Sequence, residues 1–294
     1  MTAAAPTEAE VRRLWQHLEV IHAVAYFAPA VDEALREVGL KGFWMGYFGS
    51  RAAALGAVDA AVVKATFYSF HPAKVDRAIP EAWRLAPPAR ILAARHESVG
   101  RVLRAHWAEV DPATIATAAA LAVRAASTIT GEGRPLAAAH RALPVPPDPV
   151  DQLWWSATVL REHRGDAHVA LLTAAGIDGC EAHVLQAATD RVPQAVLQPA
   201  RGWSDEDWRA AQERLCARGL VDAGGQATSE GDSCRALIEA RTDALAAPPY
   251  AVLTEPERVA LRGVLEGLSA AVADGERLPF PNPIGVDRPP TGPS

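Results

Sequence analysis

The stretch Trp203–Asp243, WSDEDWRAAQERLCARGLVDAGGQATSEGDSCRALIEARTD, decides how this chain is read. Ser204 stands as an N-cap, and Asp205, Glu206 and Asp207 complement the dipole of a first helical turn. A helix over SDEDWRAAQERLCARGL is therefore expected. LVDAGGQATSEG then predicts a short two-stranded hairpin around Gly224-Gly225. Helices at about 230–246 and 254–274 complete this part of the chain.

Upstream the pattern is helical almost everywhere. Thr7 and Glu10 form a capping-box start, after which Val11, Leu14, Leu18 and Ile21 recur at helical spacing. Pro29 opens a short helix that runs to Gly39, and further helices are expected at 73–85, 88–108, 112–129 and 134–142. The second half opens with DQLWWSATVLREHRG, then DAHVALLTAAG and DGCEAHVLQAATDR. Between the halves, PVPPDP at 144–149 blocks helix continuation and predicts a linker. The expected organisation is a helical, aromatic-rich domain at 1–143, the linker at 144–149, a second helical domain at 150–275, and a Pro-rich disordered tail at 276–294.

Composition agrees with this. The 294 residues suffice for two domains, and 49% hydrophobic with 22% charged residues is ordinary for a globular chain. The apolar share is mostly alanine, the strongest helix former. A formal charge of −6 gives no general attraction to phosphate backbones or anionic membranes. Cys180, Cys216 and Cys234 are odd in number and form no C-x-x-C pair, so they predict free thiols rather than a disulfide framework or zinc site. The start MTAAAPTEAEVRRLWQ has no signal pattern, and no run of about 18 uncharged apolar residues exists. A cytoplasmic protein without membrane partners is expected.

The two halves share a local phrase. A shift of 137 positions overlays Gly39-Leu40-Lys41-Gly42 on Gly176-Ile177-Asp178-Gly179. Each predicts a helix, a glycine fit for the left-handed cap, one apolar residue and a new helix. Any two helical corners look alike to this degree, so a duplicated module and chance similarity both stay open.

The order helix, helix, turn, helix, Gly-centred hairpin, long helix resembles the winged helix-turn-helix of MarR-type regulators. Leu215, Gly219, Leu220 and Val221 match the phrase that closes the recognition helix there, and Thr228 and Gly231 match the one that follows the wing. The whole chain is also similar to an actinobacterial family described as MarR-like helix-turn-helix proteins. The similarity lies in YFAP at 26–29, GLKGFWMGYFGSRAAALG at 39–56, ATFYSFHP at 65–72, RAIPEAW at 77–83 and REHRGDAH at 161–168. The resemblance implies a mainly α fold with two winged-helix-like halves, the second bearing a small β-hairpin wing. It implies no particular activity.

Charge weighs against DNA as the main partner. A recognition helix meets base edges and phosphates near its N-terminus, which here is Asp205, Glu206 and Asp207. The expected wing, 222–229, carries no Lys or Arg. Arg209, Arg214 and Arg218 lie further along the same helix beside Glu213.

Two clusters carry candidate chemistry. Arg161, His163, Arg164, Asp166 and His168 crowd a predicted corner, where Gly165 ends one helix and Asp166 caps the next. Such a corner is a helix end whose cations complement the dipole, an anion site, or a metal site built on His163, Asp166 and His168. In the first half Tyr26, Trp44, Tyr47, Phe67, Tyr68, Phe70 and Trp83 concentrate the aromatic supply, with Arg51, His71 and Arg77 among them. Trp44, Tyr47 and Arg51 share a helix face. Core packing explains part of this, but polar-tipped rings beside arginines also suit a pocket. The expected ligand-binding set is thus Tyr26, Trp44, Tyr47, Arg51, Tyr68, His71, Arg77, Arg161, His163, Arg164, Asp166 and His168. No nucleotide-binding loop, nucleophile elbow or H-E-x-x-H motif occurs, and no metal or cofactor is named. The expectation is a small-molecule-binding, ligand-responsive transcriptional regulator that forms a homodimer. The alternative is an enzyme on the same scaffold, acting on an aromatic or anionic metabolite with His71 or His163 and Asp166 as acid–base groups.

Overall fold

Proline and side-chain caps set where the helices begin. The computed structural model describes residues 5–275 and 278–289. The first half holds α1 (Glu8–Phe27), α2 (Pro29–Glu37), α3 (Gly42–Ala52), α4 (Ala60–Thr66), α5 (Pro72–Asp76), α6 (Glu81–Leu85), α7 (Pro88–His106), α8 (Pro112–Ala126) and α9 (Pro135–Arg141). Then come α10 (Pro149–Ala174), α11 (Gly179–Ala188), α12 (Gln194–Arg201), α13 (Asp205–Ala217), α14 (Ser229–Ala246) and α15 (Glu255–Gly275). Six of these start on a proline, whose missing N–H removes one of the donors that a first turn leaves without an intrahelical acceptor. The Thr7 capping box forms as expected, and equivalent boxes open α11 from Asp178 and α13 from Ser204. The expected helix at 73–85 is two short pieces, α5 and α6, with Pro80 between them.

The fold is mainly α, but the expected β-hairpin wing is not there. Among the described residues the β pairing is a single bridge between Val221 and Ala227. The Asp222 carboxylate folds the chain back by accepting from the N–H groups of Gly224 and Gln226, while the Asp222 N–H donates to the Gln226 carbonyl. Thr228 N–H bonds the Leu220 carbonyl and its hydroxyl bonds that of Gly219, so α14 starts at once. No residues remain for strands.

The corner expected at Gly165 is absent as well. α10 runs unbroken for 26 residues, about 39 Å, with Gly165 inside it. Asp166 therefore caps nothing on its own helix; its carboxylate instead accepts from the Ala137 N–H in α9. A single interior glycine costs a helix only about 1 kcal/mol, less than the packing of a helix this long supplies.

The two related phrases do form similar corners. Gly39 and Gly176 both have positive φ (107° and 64°), and the next residues, Leu40 and Ile177, bond back to Leu35 and Leu172. Both apolar residues are buried.

Apolar side chains gather in two cores. The larger joins α1, α3, α7 and α8 to Leu153–Leu160 of α10 and to Leu261, Leu265 and Leu268 of α15. The smaller runs from Leu172 at the far end of α10 through α11 and α13 to Ile238 of α14. α10 thus belongs to both, and the stretch between Leu160 and Leu172 crosses the gap. Of the tail expected to be disordered from 276, residues 276–277 and 290–294 lie outside the described residues. Leu278, Asn282 and Val286 are buried, and the Asn282 side chain bonds the Val286 backbone in both directions.

Candidate functional site

Where α10 crosses between the cores, a cavity of about 490 Å³ opens beside it. Helical spacing puts Arg161, Arg164, Gly165 and His168 on its wall. α1 supplies Arg12, Trp15 and Glu19, and α3 supplies Tyr47 and Arg51. Phe67, Tyr68 and Phe70 come from the segment after α4, His183 from α11, Arg201 from α12, and Arg235 and Glu239 from α14. Pro283 and Asp287 close one side.

Most of the charge in this wall is neutralised in pairs. Glu162, fully buried behind the wall, accepts two bonds of 2.8 Å from Arg51 and one of 2.8 Å from Arg161. Burial alone would raise its pKa, yet Arg161 and Arg51 hold the carboxyl well below its ordinary value. Arg161 also meets Glu19 at 3.1 Å. Arg12 and Arg164 converge on Asp243 and Glu239, and the Arg164 guanidinium lies 4.0 Å over the Trp15 ring. Arg235 approaches Glu239 at 4.0 Å, and Arg191 meets Asp287 at 3.2 Å. Asp166 differs. Burial and then the charge of Glu162 push its carboxyl up to about 7.

Of the residues expected to bind a ligand, Tyr47, Arg51, Tyr68, Arg161, Arg164, Asp166 and His168 line the cavity. The others sit elsewhere. Tyr26 is in the core, bonded through its hydroxyl to buried His22. Trp44 lies under the Lys74 ammonium, which is 3.5 Å from its ring and bonded to the carbonyls of Pro199 and Ala200. His71 caps α5 and packs edge-on against Trp203. Arg77 bonds the Ala73 carbonyl on its own helix. His163 is buried, its carbonyl held by Arg134, and burial pushes its ring down to about 4. The acid–base set His71, His163 and Asp166 is therefore not brought to one point. Among the described residues no three His, Cys, Asp or Glu side chains gather as a metal site.

The spacing along the chain missed Arg12, Glu19, His183 and Arg201. Arg12, Gln16 and Glu19 do share one face of α1, a polar stripe beside its apolar one. His183 and Arg201 carry no such mark, since each lies in a short helix whose few polar residues form no repeating face.

Below the cavity α11, α12 and α13 form a compact three-helix unit. α12 reaches α13 through Gly202, at φ 83°, then Trp203 and Ser204, a turn of the helix-turn-helix kind. A family model described as the helix-turn-helix family matches residues 11–279. The chain belongs to the helix-turn-helix family. No curated protein and no solved structure matches the sequence. In the helix-turn-helix unit itself, the expected reading edge is acidic; Asp205 and Glu206 are exposed, and the turn before them and Asp207 lie against the first half. Trp203 donates to the Ser69 carbonyl, His71 N–H bonds the Arg201 carbonyl, and His71 lies 3.8 Å from the Asp207 carboxylate. Arg214 pairs with Asp178 and Glu181, and Arg218 bonds the carbonyls of Ala175 and Gly176. Among the basic residues of α13 only Arg209 points free of such partners. No helix of the described residues is long and apolar enough to cross a membrane.

Proposed function

We propose that this helix-turn-helix family member is a ligand-binding protein of the regulator type, and that its cavity takes a small organic anion. The observation that carries the reading is the wall itself. Seven arginines and the rings of Tyr47, Phe67 and Phe70 surround about 490 Å³, within the range of small-molecule sites. Such a wall suits a ligand with one charged end and a flat apolar body. Both cores supply the wall, so a ligand there is coupled to the placement of α11–α13 relative to the first half. The charge pattern of α13 favours this ligand role over direct DNA reading by that helix.

Native mass spectrometry of the protein purified from its own host tests the reading, together with thermal shift against a panel of carboxylates and phosphate esters. A retained or titratable small anion that raises the unfolding temperature is the expected result. Stabilisation by neutral compounds only would count against it.

A further inference from the structure

Six of the seven cavity arginines meet a carboxylate; Arg201 does not. It ends α12 and is only 8% exposed. Its guanidinium lies 4.4 Å over the Phe70 ring and bonds the Pro283 carbonyl, while Nε has no hydrogen-bond partner. Among the described residues no Asp or Glu pairs with it. Next to it on the wall is His183, 6% exposed, whose ring nitrogens make no hydrogen bond of ordinary geometry, with the Gln186 side chain and the Ser69 backbone nearby. Burial, then Arg201, push that imidazole down to about 3, so it is neutral and offers one N–H donor. A buried cation without a counter-charge is costly, and an unmade hydrogen bond at a buried donor adds to the cost.

We infer that Arg201 and His183 anchor a single carboxylate of a flat organic ligand, whose apolar body lies against Phe70, Phe67 and Tyr47. This deepens the ligand-binding reading above and rests on it. A carboxylate is favoured over a phosphate ester by the donors at this point of the wall. The other six arginines share five carboxylates, Glu19, Glu162, Glu239, Asp243 and Asp287, and Arg201 alone of the seven meets none. A guanidinium edge fits the two oxygens of a carboxylate, and a neutral imidazole adds a donor without adding charge.

Calorimetric titration of the full chain with 2-naphthoate tests the assignment, with 2-naphthamide as the neutral isostere and 2-naphthyl phosphate as the dianion. Naphthoate is expected to bind at least about tenfold more tightly than the amide and no more weakly than the phosphate. Arg201→Gln is expected to remove that preference, Arg201→Lys to restore part of it, and Arg36→Gln, at an exposed surface pair, to leave it unchanged. Circular dichroism checks that each variant folds, and His183→Gln, which should weaken naphthoate but not the amide, carries the test if Arg201→Gln does not fold. Naphthoate binding that survives Arg201→Gln and is lost in Arg164→Gln overturns the anchor and leaves the ligand reading standing. Tighter binding of the phosphate overturns the carboxylate assignment. No preference for either anion in the wild-type chain overturns the anchor and the ligand reading together.

Discussion

Gly165 and Asp166 are neighbours on α10 with opposite lessons. A Cβ at Gly165 would sit 3.7 Å from Glu162 Oε2 and 3.9 Å from an Arg161 nitrogen, ordinary contact distances. Gly165→Ala should therefore raise stability by about 0.5–1 kcal/mol through helix propensity, read as a higher urea midpoint at unchanged slope. Asp166 is a carboxyl whose folded pKa, about 7, lies above its ordinary value. The folded state binds its proton more tightly than the unfolded chain, so stability falls as pH rises from the ordinary carboxyl range through about 7. Asp166→Asn keeps an acceptor for the Ala137 N–H and removes the titration. Between about pH 5 and about pH 8 the wild type should lose on the order of 2–4 kcal/mol more than the variant. Equal losses in urea titrations at both ends would rule out the ionisation as the cause. The crowd REHRGDAH was visible in the sequence as polar residues placed close together. What gathers them is the side of one long helix, and Gly165 misled because glycine usually marks a helix end.

At the scale of elements, helices were legible because capping boxes and N-terminal prolines act locally, within a turn of the residues that form them. The wing was not, because Gly224-Gly225 signals a reversal but not the length of the strands around it. Asp222 and Thr228 tie that reversal directly to α13 and α14, an outcome set by hydrogen bonds across the turn. The acidic edge of α13 was legible, but the contacts of Trp203 and Asp207 with Ser69 and His71 were not, since they join segments more than 130 positions apart. DNA affinity follows from this edge. The wild-type chain should show weak binding to duplex DNA through α13, and Asp205→Lys with Glu206→Lys should strengthen it. The gain should be salt-sensitive, each added phosphate contact steepening the log–log salt slope by about 0.9. Fluorescence anisotropy between low and moderate salt reads both effects. Tight, salt-sensitive wild-type binding that Arg209→Ala abolishes would show that α13 reads DNA as it stands.

The whole molecule depends on pieces of chain brought from far apart. α1 packs against α15 and α10, and the larger core closes only with Trp154, Trp155 and Leu160 from beyond the proline-rich segment at 144–149 and with Leu261, Leu265 and Leu268 near the end of α15. That segment is well marked as a break in helix, because proline blocks continuation locally. Whether a break in helix is also a break in the core depends on where α10 lands, which local signals do not carry. Glu162 makes the same point in electrostatic form. It leaves Arg51 of α3 and Arg161 of α10 sharing one buried carboxylate, so the charge of the first half is balanced from the second. Residues 1–143 expressed alone would expose the faces of α1, α7 and α8 that α10 and α15 cover, and would leave Arg51 without its partner. The fragment is expected to lack a cooperative thermal transition and to show rapid amide exchange throughout α7 and α8. The full chain should protect both helices strongly. A fragment that unfolds cooperatively with native-like exchange protection would show that the first half is an independent domain and that α10 and α15 only cover it.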